Sequence, residues 1–293
     1  MSHEPLPVYR HSGKFGLHGP LVALIAAVVI GFPLGFAYAY GMKWIPFIYI
    51  NFVLTTCYAL AFGFSIGFIM KWAKVRNTFV AFLCGLIGGL LAMYFNWNAH
   101  VHALFDGAAA VNPPRIILGS MKFLYEHGSW GLRHSGNVTG IPLVIIWVIE
   151  AGIIVAIAAL LPMAMVYDTP FCEKNHCWLD EVKKIETLQP FTDAAHIAAL
   201  KAGDLAPLVQ ARPRESGAQT FARITLKHSC RTKEFCTVRV ENVTVTTDKD
   251  GDTNERTQEL TRDLIVPPAT FDLLSRFESF TATAPATVPV PTV

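Results

Sequence analysis

IGFIMKWAKVRNTFVAF, residues 66–82, sets Lys71, Lys74 and Arg76 between two apolar runs and leaves the chain only this short basic stretch in which to reverse. A connection so short makes the runs on either side neighbouring antiparallel elements. Its basic side chains also fix a side, because Lys and Arg collect in the short loops on the cytoplasmic face of a membrane protein.

Outward from this turn lie Ile45 to Met70 and Thr78 to Phe95, and beyond them Leu21 to Tyr40 and Ile141 to Val166. Each has the roughly 17 to 25 apolar residues that cross a hydrocarbon core. Backbone groups in lipid must be paired within the segment, so helices are expected and a barrel of short strands is excluded. With 52% hydrophobic and 16% charged residues over 293 positions, the chain is too apolar for an ordinary soluble domain. Ala37-Tyr38-Ala39 imitates a signal-peptidase site, but the apolar run before it, about 18 residues, exceeds a signal-peptide core, so the first helix is expected to be retained. A formal charge of +2, from 24 basic and 22 acidic side chains, gives no general basic field and argues against a nucleic-acid partner.

Arg10, Lys14, Lys71, Lys74, Arg76, Lys174, Lys183 and Lys184 fall on one side of this arrangement; Lys43, Arg115, Lys122 and Arg133 fall on the other. The first side is expected to be cytoplasmic, with both termini on it. The fold class expected is an α-helical integral membrane bundle of four transmembrane helices plus a small cytoplasmic α+β domain. Residues 1–20 form a cytoplasmic segment, 21–167 the bundle with a long outer loop at 96–140, 168–279 the cysteine-containing domain, and 280–293 a Pro/Thr-rich tail with the composition of disorder.

Within the outer loop, the prolines opening PPRIILGSMKFLYEHGSWG and the spacing of Ile116, Ile117, Ser120, Phe123 and Leu124 predict a helix at the membrane surface. Trp97, Tyr125 and Trp130 suit interfacial anchors. This loop either closes the outer face of the bundle or acts as a substrate lid. His100, His102 and Asp106 suggest a metal, but residues two apart on a helix do not share a face. Asn137 and Asn242 each open an N-x-T glycosylation pattern.

Gly31 and Gly35, Gly63 and Gly67, and Gly85 and Gly89 are pairs four residues apart, one pair in each of the first three helices. That spacing puts both glycines on one face and admits close backbone approach. It serves either a compact bundle or a homo-oligomer, and self-association through at least one pair is expected. Pro33 is expected to kink the first helix. Glu150 stands in the fourth span, where a charged, lipid-facing carboxylate costs a few kcal/mol or more, so it should face the bundle. Asn51, Thr55, Thr56 and Tyr58 are its polar candidates, and its role is either structural hydrogen bonding or a proton or ion pathway. The chain shows no inverted repeat of the transporter kind.

After residue 168, FTDAAHIAALKAGDL reads as a helix ended by Gly203. QTFARITLKHSC, FCTVRVENVTVTTDKDG and TQELTRDLIVP read as strands, and PATFDLLSRFESF as a closing amphipathic helix. Asp248, Asp250, Asp252, Asn254 and Glu259 mimic a calcium loop, but Thr253 stands where that loop needs glycine, so a hairpin turn is expected.

FCEKNHCW, residues 171–178, and CRTKEFC, residues 230–236, bring four thiols to a compartment expected to be reducing, where disulfides are rare. A zinc ion held by Cys172, Cys177, Cys230 and Cys236 is the expectation, with His176 or His228 as a replacement ligand. Free thiols or a hairpin crosslink are the alternatives. The last helix with Glu150, and the Pro-Phe-Cys-Glu stretch with Trp178 beyond it, resemble an uncharacterised group of bacterial four-helix inner-membrane proteins, in which the cysteines are C-x-x-C where here four residues intervene. The resemblance implies a bacterial inner membrane and no known activity. No nucleophile elbow, phosphate loop or dinucleotide fingerprint occurs. The function classes left are a membrane-anchored scaffold or sensor whose zinc-stabilised domain meets a cytoplasmic protein partner, a channel or transporter using Glu150, and a membrane enzyme with its site in the outer loop.

Overall fold

The computed structural model describes residues 5–45, 48–105, 108–128, 131–132, 136–215, 217–230, 232–249 and 251–276. Trp130, Arg133, Asp106, Asp250 and the tail at 280–293 lie outside them. The chain divides into two compact units, one made of residues 11–169 and the other of 1–10 together with 170–293.

The first unit is helical: α1 (His18–Trp44), α2 (Ile48–Trp72), α3 (Thr78–Leu104), α4 (Pro114–His127) and α5 (Ile141–Tyr167), with a two-residue pairing of β1 (Gly131–Leu132) and β2 (Gly136–Asn137) before α5. Among the described residues α1, α2, α3 and α5 are long and apolar enough to cross a membrane. α3 lies against α1 and α5, and α2 against α5 and α1. Small residues fill the interior, among them Ala23, Ala27, Ala59, Ala81, Ala92 and Ala158, while Leu21, Val29, Tyr49, Phe68, Phe79 and Val148 point outward and are exposed. A water-soluble bundle reverses this pattern, since it needs its large apolar side chains inside. The basic turn at 71–76 is built as a reversal with Lys74 at φ 55°, and Asn77 caps α3 by accepting a hydrogen bond from the Val80 N–H at 3.0 Å.

All three glycine pairs are used within this single chain. A Cβ at Gly35 would meet the Phe95 carbonyl carbon at 3.1 Å, one at Gly63 the Ile157 carbonyl oxygen at 3.2 Å, and one at Gly89 the Val155 Cα at 3.3 Å. Gly31 faces Phe62, Phe95 and Ala92, Gly67 faces Met165, and Gly85 touches the Ala158 backbone. The pairs therefore set α1 on α3, α2 on α5 and α3 on α5. These faces are covered by neighbouring helices of the same chain, which fits the compact-bundle alternative for the pairs. α1 runs through Pro33 as one helix.

The second unit is a five-stranded antiparallel sheet in the order β3 (Phe171–Cys172), β4 (Cys177–Leu188), β5 (Thr220–Ser229), β6 (Cys236–Thr247) and β7 (Thr253–Val266). Three short helices accompany it: α6 (Ala194–Lys201), α7 (Ala206–Val209) and α8 (Pro268–Ser275). Gly203, at φ 88°, follows α6 in a conformation that suits glycine. Ile185, Leu188, Ile224, Leu226, Val238 and Val240 join Leu200, Phe271 and Leu274 in one core. The hairpin expected at the calcium-like stretch joins β6 to β7, where the Asp248 N–H donates to the Asp252 carbonyl at 2.8 Å.

Three features depart from expectation. α3 continues nine residues past Phe95, so the outer loop does not begin at residue 96. β4 is a twelve-residue strand not anticipated from the sequence. Residues 5–10 join the sheet unit, with Val8 opposite Leu264, the Tyr9 N–H donating to the Asp263 carbonyl and the Ile265 N–H donating to that of Pro7, both at 2.9 Å.

Candidate functional site

The continuation of α3 matters because NWNAH, residues 96–100, keeps helical spacing and turns polar side chains into the bundle. There α1, α2, α3, α4 and α5 enclose a cavity of about 210 Å3 whose polar lining includes Asn51, Asn96, His100 and Glu150, with Trp97 and Trp147 as aromatic walls. Asn51 and Asn96 are only 7% and 6% exposed, and the Oδ1 of each has no hydrogen-bond partner among the described residues. A buried amide oxygen left bare costs about 1–3 kcal/mol. Both oxygens lie within the packed wall and are not open to the cavity itself.

Neighbouring groups are ordered by hydrogen bonds that do not reach into the space. Thr55 donates to the Asn51 carbonyl at 2.8 Å and so receives the Tyr38 hydroxyl proton at 2.7 Å. Tyr58 donates to the Ala92 carbonyl at 2.9 Å and stacks on Tyr38 with centroids 5.0 Å apart. His100 Nδ1 lies 3.1 Å from the Asn96 carbonyl. A carbonyl only accepts, so Nδ1 carries the proton and Nε2 of the neutral ring is left as an acceptor. Among the described residues no side chain is hydrogen-bonded to the Glu150 carboxylate. Lys43, also on the lining, is engaged elsewhere: its ammonium donates to the Ala103 carbonyl and sits 5.9 Å from the Tyr40 ring centroid. Leu124 of α4 closes part of the wall, which gives the surface helix a lid-like position. His102 turns away from His100 and pairs with the Tyr40 hydroxyl at 3.0 Å, as their separation on one helix requires.

In the sheet unit the thiols do not converge as a zinc site. Cys172 stands opposite Cys177 across the β3–β4 hairpin, and Cys177 is hydrogen-bonded to Cys230 and lies 3.5 Å from the Ser229 hydroxyl. Cys236 pairs in register with His228, one residue from Ser229, and is buried in the apolar core. Alternation along β5 puts His228 and Ser229 on opposite faces, so Cys236 and Cys177 are separated by the sheet. His176 sits at φ 50° in the hairpin turn, and His228 is directed at Phe271. Among the described residues no three His, Cys, Asp or Glu side chains form a group that could hold a metal ion. The four cysteines as placed do not fit tetrahedral thiolate zinc. The two kinds of thiol differ electrostatically. Burial raises Cys177, but hydrogen bonds from Cys230 and Ser229 outweigh it and leave the thiol below its ordinary range, whereas burial pushes Cys236 up to about 11.

Asn242, one of the two glycosylation candidates, is 9% exposed and spends its amide on both backbone groups of Phe191, accepting from its N–H at 3.0 Å and donating to its carbonyl at 2.8 Å. Of the cavity residues, Glu150 and Asn51 were legible as intramembrane polar groups. Asn96 and Trp147 were not singled out for a site, and His100 was weighed only with His102 and Asp106 for a metal, although the polar cluster directly after an apolar run was a signal that the helix continued. The chain matches no family model, no curated protein and no solved structure, and its function is read from its own residues.

Proposed function

We propose that the chain is a multi-pass sensor of the bacterial inner membrane that binds a small molecule within its bundle and reports it to the cytoplasm. A cavity inside the bundle lined by Asn51, Asn96, His100 and Glu150, whose carboxylate has no side-chain hydrogen-bond partner among the described residues, is the observation that carries this reading. Helices α1, α2, α3 and α5 cross the membrane, the turn at 71–76 and both termini lie inside, and the cavity opens toward the outer side. Membership of residues 5–10 and 170–276 in one folded unit supports an even number of crossings. α1 and α5 each contribute to the cavity wall and are the two helices whose far ends lead along the chain into the sheet unit, so a ligand touching both acts on helices continuous with the sheet. The sheet unit is the part that meets a cytoplasmic protein partner.

Hydrogen exchange on the full chain in lipid nanodiscs tests this. A small molecule that binds saturably in the bundle is expected to change protection in β4 to β7. Binding with no change in those strands overturns the sensor and leaves a carrier or channel using Glu150; exposed Cys230 labelling from the periplasmic side of sealed vesicles overturns the orientation.

A further inference from the structure

The β3–β4 hairpin is fastened to the far end of β5 and the residues after it. Lys174 donates to the Glu234 carboxylate at 2.6 Å, and the Asn175 amide donates to the hydroxyls of Ser229 at 2.6 Å and Thr232 at 2.9 Å. Leu179 pairs in register with Ser229, and Cys177, two residues before Leu179 on the same face, is hydrogen-bonded to the Cys230 thiol. We propose that Cys177 and Cys230 are a reversible dithiol–disulfide pair, oxidised by a small-molecule disulfide and reduced by a small-molecule thiol. The site lies wholly in the sheet unit and does not depend on a ligand in the bundle.

The two thiols are in contact and the backbone that carries them is anchored, so a short approach of the side chains joins them without moving a strand. Their surroundings divide the work. Ser229 Oγ accepts from Asn175, which leaves its own proton for the Cys177 sulfur 3.5 Å away; that bond and those from Cys230 favour the thiolate, the nucleophile of exchange. Cys230 is exposed and suits the resolving thiol. The Cys177 thiolate attacks one sulfur of the small disulfide, whose S–S bond breaks and releases a thiolate. The Cys230 thiol then attacks the Cys177 sulfur of the mixed disulfide and releases the second. The protons of the two protein thiols end on the two leaving thiolates, so the chain gains one disulfide and the oxidant becomes two thiols. The neighbouring cysteines are less suited to this role. Cys236 is fully buried, donates to the Lys233 carbonyl at 3.1 Å and has its thiol pushed up by burial. Cys172, opposite Cys177 in the hairpin, is 3% exposed and shielded from a dissolved oxidant. Among the described residues no third ligand joins the pair to hold a metal ion.

The test is peptide mapping of the full-length chain in nanodiscs, equilibrated with oxidised and reduced glutathione, quenched in acid and alkylated. Oxidised glutathione is expected to consume two of the six thiols and to give a Cys177–Cys230 crosslinked peptide with Cys236 still alkylated, and excess reduced glutathione is expected to reverse it. Cys230→Ser is expected to stop at the mixed disulfide, with glutathione on Cys177 formed at least about tenfold faster than on Cys236. A crosslink between Cys172 and Cys177, glutathione on Cys230 in place of a bridge, or full alkylation of all six thiols overturns the pair. A bridge that excess reduced glutathione does not open overturns its reversibility and makes it a structural disulfide. Should Cys230→Ser fail to fold, the map of the unmodified chain decides the matter by itself.

Discussion

Asn242 in the sheet unit and Asn96 in the bundle are the same side chain at similar depth, both less than a tenth exposed. Asn242 has both ends of its amide occupied by Phe191, whereas the oxygen of Asn96 touches no partner. The charged groups follow the same division. Asp263 is 3% exposed and takes Arg239 on one oxygen and Lys227, at 3.2 Å, and Thr237 on the other, while Glu150 faces open space. Polarity at Asn242 and Asp263 in the sheet unit is architecture, because both side chains are consumed by neighbours. In the bundle the oxygens of Asn51 and Asn96 and the Glu150 carboxylate have no side-chain hydrogen-bond partner among the described residues, and the distinction lies in partners and not in burial.

The largest effect expected from breaking this division is in the sheet. Asp263→Asn keeps a residue that tolerates the native φ of 33° but removes the buried negative charge that Lys227 and Arg239 both face. Losing one partner of a buried ion pair costs about 3–5 kcal/mol. Amide protection across β5 to β7 should fall by about a hundredfold or more, which hydrogen exchange on the full chain measures. Asn242→Ala should cost less, about 1–3 kcal/mol, because it bares one N–H and one carbonyl of Phe191 without exposing a charge; the loss is expected around Pro190 to Thr192 and the facing part of β6. Asn51→Leu, at equal depth, should shift the thermal midpoint of the bundle little or upward, within about 0.5 kcal/mol, because no partner is lost. A large destabilisation there would mean that the cavity amides are structural after all.

Four apolar helices were readable because lipid demands long uninterrupted runs, and the helices in the structure match them within a few residues except at the end of α3. There the hydropathy drops at Asn96 while the helix does not stop: Asn98 donates to the Tyr94 carbonyl one turn back at 2.8 Å and His100 does the same to Asn96. Hydropathy alone could not register polar residues that satisfy themselves along their own helix, and the cavity was hidden with them. β4 escaped notice for a different reason. Its register against β5 shifts between Glu181 and Lys183 and again between Ile185 and Leu188, and each shift breaks the two-residue alternation that identifies a strand. The zinc expectation had counter-evidence in plain view. Cys236, Val238 and Val240 alternate along one strand, so the thiol shares their face and belongs to the core.

The pairing of residues 7–9 along β7 has a temporal consequence. Residues 7–9 are made about 250 residues before Asp263 to Ile265, with which they pair, so this edge stays open until every helix of the bundle has been made. Pairing across so long a separation is slow, and an unpaired edge is a template for other chains. The order of synthesis thus places closure of the sheet after the helices, with residues 7–9 acting as the final stitch.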